Sequence, residues 1–357
     1  MTSGGARGVV ALAWLGAIVT ACGGWVDLEP PERGKTLVTV DAAGKEMGVS
    51  GTPSSPPPID GRGSGAVTSV PAAAGAGGEI ISEGGASPGG TEPPGGSSPI
   101  AGSGGAPSNG PLRSGSFKIL VLSTALEFAH DSIADCQRML SELGATPDEL
   151  MPEGTQPGSQ FTTQIEGDDL ADFTPTALQN YGLIFSCNPT GRVFSGNPKV
   201  KDPKGAMQAF QDFIEKDGNA FAGVHSASDF EKTNGFPWFT DTLMGAYFDT
   251  HDGDGTLGTV EVNAEFALHP VMRGVPPTWA TQDEWYYMNR DVGMQPGFQV
   301  LATLAVDDRP VVWVKELAPN QGRMFYTIRG HNPSVYREPE LRHLVLNGIL
   351  WATHRLQ

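Results

Sequence analysis

Five side chains are of a type that could do chemistry together: His130, His225, His251, Glu284 and His331. Imidazoles and a carboxylate pass protons near neutral pH. Three imidazoles with a carboxylate can also hold a divalent ion such as zinc and leave a position open for water. His225 directly follows the apolar run Phe221 to Val224, and His331 lies shortly beyond Met324 to Ile328. Ligands of open parallel sheets bind outside the carboxyl ends of the strands, so these two imidazoles mark a crevice. The spacing matches no compact His-x-x-x-His motif, and a metal set of His225, His251 and His331 therefore depends on convergence in three dimensions. In the metal-free alternative the same imidazoles and Glu284 act as general acid and base, or hydrogen-bond a sugar. His130 either joins the site or caps the helix that follows it. His269, His343 and His354 read as structural or solvated.

The residues around these groups are ambiguous in informative ways. Gly223 to Asp229 reads Gly-Val-His-Ser-Ala-Ser-Asp, a turn of small residues where doubly wound hydrolases place a nucleophile. Gly-x-Ser-x-Gly is absent, so Ser226 is expected to cap a helix rather than to attack a substrate. Asp252-Gly253-Asp254-Gly255 covers too few acidic positions for a calcium loop and reads as a hairpin turn. Phe236, Trp238, Tyr247, Phe248, Trp285, Tyr286 and Tyr287 could stack on sugar faces or form a satellite core, with Trp238 and Tyr247 on a helical stretch.

These groups are positioned by a regular alternation. Phe117 to Leu122 is an apolar strand, and Asp131 to Leu143 a helix with Ile133, Met139, Leu140 and Leu143 at helical spacing. Gly182 to Ser186 is a second strand, Gly205 to Lys216 a helix and Ala220 to Val224 a third strand. Further strands are expected at Thr256 to Val262, Gln299 to Leu304, Val311 to Glu316 and Arg323 to Ile328, with a closing helix over Glu338 to Thr353. This pattern predicts an α/β domain with a doubly wound, mostly parallel sheet and helices on both faces. Cys136 falls inside the first helix and Cys187 at a buried strand end, so both are expected to be packed thiols.

The 357 residues include 48 Gly and 29 Pro, too many for a chain folded throughout. Residues 1–22 read as an export signal ending in Val19-Thr20-Ala21-Cys22, a sequence similar to a bacterial lipobox, with Cys22 the lipidated thiol. Residues 23–115 are a Gly/Pro/Ser-rich, disordered tether apart from a short strand-like run at Thr36 to Val40, and 116–357 is the folded domain. The expected location is the bacterial cell envelope, with a lipid anchor in the outer membrane or facing the periplasm. A formal net charge of -17 argues against nucleic acid as a partner.

Seven ordered motifs across 117–354 resemble the trehalose-utilisation, or ThuA-like, family. They are Glu127 to Ile133, Gly223 to Asp229, Gly245 to Phe248, His269-Pro270, Asp283 to Tyr286, Pro310 to Trp313, and Gly322 to Thr327 leading to Gly330-His331. The resemblance implies a class I glutamine amidotransferase-like, flavodoxin-type fold and a role in carbohydrate utilisation on disaccharide or keto-sugar substrates. It also places His225 where a glutaminase of this fold has its cysteine, and Pro333 where the carboxylate partner of the histidine would stand. Without thiolate and carboxylate, the resemblance implies that glutamine hydrolysis is not the reaction. Three classes remain: an enzyme with His130, His225, Glu284 and His331 as acid-base or metal-assisted groups, a non-catalytic carbohydrate-binding surface lipoprotein using the same crevice, and a scaffold or assembly partner carried on the tether.

Overall fold

A computed structural model describes residues 111–318 and 321–357. The expected export signal, Cys22 and nearly all of the expected tether lie outside the described residues. The chain is already tied down at its described start, where the Arg113 guanidinium donates to Asn219 Oδ1 and the Gly218 carbonyl.

The elements run β1 (Phe117–Leu122), α1 (Ile133–Gly144), β2 (Phe161–Ile165), α2 (Pro175–Leu178), β3 (Leu183–Cys187), α3 (Pro203–Glu215), β4 (Ala220–Val224), β5 (Phe248–His251), β6 (Thr256–Val262), β7 (Thr278–Asp283), β8 (Tyr286–Met288), β9 (Phe298–Leu304), β10 (Pro310–Glu316), β11 (Arg323–Thr327) and α4 (Pro339–Ala352). Nine strands form one sheet in the order β2-β1-β3-β4-β11-β10-β9-β6-β7. The first five are mutually parallel and the rest extend the sheet by antiparallel pairing. Strands β3, β4 and β11 are buried along their whole length, as the unbroken apolar runs of a central parallel sheet require.

Side-chain alternation shows that helices cover both faces. Phe221 pairs in register with Met324, so Phe325, the next residue along β11, points the opposite way. Phe221 packs on Phe210 of α3, whereas the Phe325 ring lies against Gly348 of α4, where a Cβ would sit only 2.4 Å from it. Helices α3 and α4 therefore flank opposite faces. Proline opens both of them at the first turn, where its missing N–H costs nothing.

Strands β2, β7 and the short ribbon β5/β8 have no counterpart among the expected elements. Asp252 to Gly255 is not a hairpin: β5 pairs with β8, and β6 with β7 and β9, so the segment connects two sheets. Its acids are held by protein groups, Asp252 by Arg309 at 2.7 Å and Asp254 by the Asn332 amide at 2.7 Å. Trp238 lies in a π-helical turn, Trp238–Leu243, and Tyr247 falls beyond it.

The cysteines correct the expectation of free thiols, because Cys136 and Cys187 form a disulfide. They are 51 residues apart, and the docking of α1 against β3 brings their Cα atoms to 5.9 Å. Closing a loop of 51 residues removes about 4 kcal/mol of unfolded-state entropy in the chain-entropy account. Replacing both cysteines by alanine is expected to lower the unfolding free energy by about 2–4 kcal/mol in denaturant titration. Wild type should show a similar drop on addition of a thiol reductant. Identical midpoints with and without reductant would contradict the bridge.

Candidate functional site

The site is built on a strained turn. Beyond β4 the chain enters a 3-10 turn, His225–Ser228, and His225 itself has φ +46°, in the left-handed region that a side chain ordinarily avoids. That conformation costs about 1–2 kcal/mol and persists only where surroundings fix it. Three contacts do so. The Tyr326 hydroxyl donates to the His225 carbonyl, Nδ1 lies 2.9 Å from the Ile328 carbonyl, and the Tyr286 hydroxyl is 2.8 Å from Nε2.

A carbonyl accepts only, so Nδ1 carries the proton and donates to Ile328. In the neutral ring Nε2 is then a bare lone pair, which accepts from Tyr286 and points into the cluster. A histidine whose remote nitrogen is anchored on a backbone carbonyl is the common arrangement of a metal ligand.

His331 and Glu284 meet that lone pair. His225 Nε2 lies 3.2 Å from His331 Nδ1 and 3.4 Å from Glu284 Oε2, and His331 Nδ1 lies 3.1 Å from the same oxygen. His130 completes the group: one ligand atom from each of His130, His225, Glu284 and His331 can be chosen with all four within 4.8 Å of one another. Two ligands at about 2.05 Å from a tetrahedral ion are about 3.3 Å apart, which is the edge of this triangle. The donor set thus has the size and chemistry to hold a divalent transition ion.

Burial is the largest influence on His130 and, with the neighbouring His225 and His331, holds its pKa down to about 3, so the ring is neutral near pH 7. Burial alone would raise Glu284, but its close contacts with the His225 and His331 imidazoles outweigh it and hold the carboxyl well below its usual range. The same contact with Glu284 raises His331 above the ordinary imidazole value, against the opposing effect of burial.

His251 does not join the four. Its side chain is 43% exposed, and Nδ1 sits 3.0 Å from Glu284 Oε1, the oxygen turned away from His225 and His331. The β5/β8 ribbon puts His251 opposite Tyr286, so its position suits it to orient the carboxylate. His130 caps nothing with its side chain; Ser226 Oγ lies 3.5 Å from its Nδ1. Ser226 does not cap a helix either, and it faces His130 rather than His331. His269 does act structurally, its ring nitrogen accepting from the Val271 N–H at 3.2 Å. The aromatic residues divide: Phe236 and Trp238 pack with Phe210 and Phe239 as core, while Tyr286 and Phe248 wall the site.

Sequence reasoning missed the groups that hold the ligands in place. Asp283, fully buried, accepts backbone N–H bonds from Glu284 and His331 on Oδ1 and from Gly330 on Oδ2, all at 3.0 Å. The buried Arg329 guanidinium faces Asp283 Oδ2 at 3.5 Å and donates to Glu338 at 2.7 Å. Gly330 has φ +131°, and a Cβ there would fall 2.5 Å from the Tyr336 hydroxyl and 3.3 Å from His225 Cβ. Its carbonyl accepts from Ser132, Asn188 and Tyr336, which locks the His331 loop to the start of α1. Asp283 was detectable: β7 alternates exposed and buried residues, and continuing that alternation from Trp279 and Thr281 turns Asp283 inward as a lone buried acid.

Comparison with known proteins gives the lineage. The profile of the ThuA family, described as trehalose utilisation, matches residues 118–352, and the chain belongs to this family. A ThuA-like protein from Bacteroides uniformis ATCC 8492 shares the fold at a TM-score of 0.51 and 21% identity, over 70% of this chain and 95% of that one. The β-galactosidase from Bacillus circulans sp. alkalophilus overlaps with a TM-score of 0.39 at 13% identity, over 66% of this chain and 30% of its own. No curated protein matches the sequence.

Removing the Asp283 carboxylate strands three backbone N–H groups in the interior and leaves the Arg329 charge with Glu338 as its remaining carboxylate partner. Asp283→Ala is therefore expected to lower unfolding free energy by about 3–5 kcal/mol in urea titration. Asp249→Ala, on an exposed position of β5, should stay within about 0.5 kcal/mol of wild type. Equal midpoints for the two variants would refute the bracing role of Asp283.

Proposed function

We propose that this ThuA-family chain is a carbohydrate-utilisation enzyme that holds a divalent transition ion, zinc or a close relative, between His130, His225, Glu284 and His331. The observation that carries the reading is the 3.1–3.4 Å triangle of His225 Nε2, His331 Nδ1 and Glu284 Oε2, with the His225 lone pair fixed inward by Ile328. A bound ion there would polarise a sugar oxygen or lower the pKa of a water. The protein's own groups do the rest. Tyr286, whose pKa burial raises well above the ordinary phenol value, keeps its proton and can donate it as a hydrogen bond. His251, half-exposed, stands 3.0 Å from the outer oxygen of Glu284.

Glutaminase chemistry has no support. His225 occupies the elbow, and Cys136 and Cys187 are consumed in a bridge. The disulfide also favours an oxidising compartment, in keeping with an envelope protein carried on a lipid anchor at Cys22.

Elemental analysis of the purified protein tests the reading, alongside consumption of trehalose or a keto-disaccharide. Wild type is expected to carry one equivalent of metal and to lose turnover on chelation. His225→Ala and Glu284→Gln should retain less than a tenth of the metal while melting within a few degrees of wild type. Turnover unaffected by metal removal would replace the ion with metal-free acid-base catalysis. Sugar binding with neither metal nor product would replace the enzyme with a binding protein.

A further inference from the structure

A cavity of about 120 Å³ lies on the β3 and β4 side of the histidine cluster, lined by Glu127, Gly191, Arg192, Asp229, Lys232 and Thr233. It adjoins the cluster through two connections. Asp229 ends the turn that begins at His225, and Glu127 precedes Phe128, whose exposed ring stacks over His331 and meets His130 edge-on at 4.8 Å. Lys232 pairs with Asp229 and stands 4.7 Å over Phe248, which packs on Tyr286.

The lining charges balance, with two carboxylates and two cations, but they are not all spent on one another. Arg192 commits one nitrogen to the Thr233 carbonyl at 3.1 Å. The Glu127 carboxylate has no hydrogen-bond or ion-pair partner among the described residues, and only its backbone N–H is bonded. Gly191 forms a bare floor: its φ is +78°, and a Cβ there would come within 3.0 Å of Glu127 Cγ.

Free acceptors beside free donors, with no net charge, fit neighbouring hydroxyl groups, which each donate and accept. An anionic ligand would instead meet Glu127, Asp229 and Glu284. At about 30 Å³ per water the cavity holds about four waters, room for one edge of a sugar ring and not for a disaccharide. The exposed Phe128 face offers the rest of such a ring an apolar platform.

We infer that this cavity is a subsite for the vicinal-diol edge of an uncharged sugar, with Glu127 accepting from one hydroxyl, Arg192 donating to the next, and the remainder of the sugar reaching across Phe128 to the histidine cluster. The inference rests on the carbohydrate reading of the site and names its substrate class. The diol contacts themselves are independent of any bound ion.

Calorimetric titration of the full chain with methyl α-D-glucopyranoside, and with the corresponding methyl glucuronide, tests it while metal content is recorded for every variant. Wild type is expected to bind the neutral glycoside more tightly than the uronate. Glu127→Gln and Arg192→Met should each weaken the neutral glycoside about tenfold or more, the loss of a hydrogen bond to a charged group, with metal content unchanged. Asp217→Asn, at an exposed position beyond the end of α3 and outside both the cavity and the histidine cluster, should bind the glycoside within about threefold of wild type. Unchanged affinity in both pocket variants, preference for the uronate, or no binding by wild type overturns the subsite. A wild type without metal that still binds the glycoside through Glu127 and Arg192 overturns the metal centre and leaves the subsite standing.

Discussion

The buried Asp283 carboxylate is the interaction on which the rest of the site depends. It ends β7, which is four strands from β11 in the sheet order, about 19 Å away if the sheet were flat. Yet Asp283 accepts the N–H groups of Gly330 and His331, just beyond β11. The antiparallel half must therefore curl back over the carboxyl ends of the parallel half, and Asp283 fastens it there. Its neighbour Glu284 is carried to the two histidines by the same closure.

This arrangement also sets which side chains face the crevice. The strained elbow after β4 presents whatever side chain stands at its first position to the crevice, and here that is an imidazole held in one tautomer by Ile328. The carboxylate comes from the far edge of the sheet rather than from a position shortly after His331, where Pro333 stands. Burial keeps the His130 imidazole neutral, and the contacts with His225 and His331 keep Glu284 ionised.

Much of the fold was legible because its central strands and two longest internal helices have strong local signatures: apolar runs at β1, β3, β4 and β11, and helical periodicity in α1 and α3. His225 and His331 were legible as strand-end groups, and Glu284 as the carboxylate of the Asp283-Glu284-Trp285-Tyr286 motif. His251 and His130 were harder to rank, since one lies on a surface ribbon and the other in a loop, and only the tertiary closure decides which faces the cluster. The disulfide and the partners that Asp283 grips beyond β11 were not visible, because each joins segments whose proximity is set by strand order and curl rather than by local pattern.

X-ray absorption spectroscopy of the protein loaded with one equivalent of zinc is the most direct measurement of the central claim. The account predicts a first shell of nitrogen and oxygen at about 2.0–2.1 Å, with imidazole scattering that diminishes in His225→Ala. A shell of water oxygens alone, or a spectrum unaltered by that substitution, would contradict it.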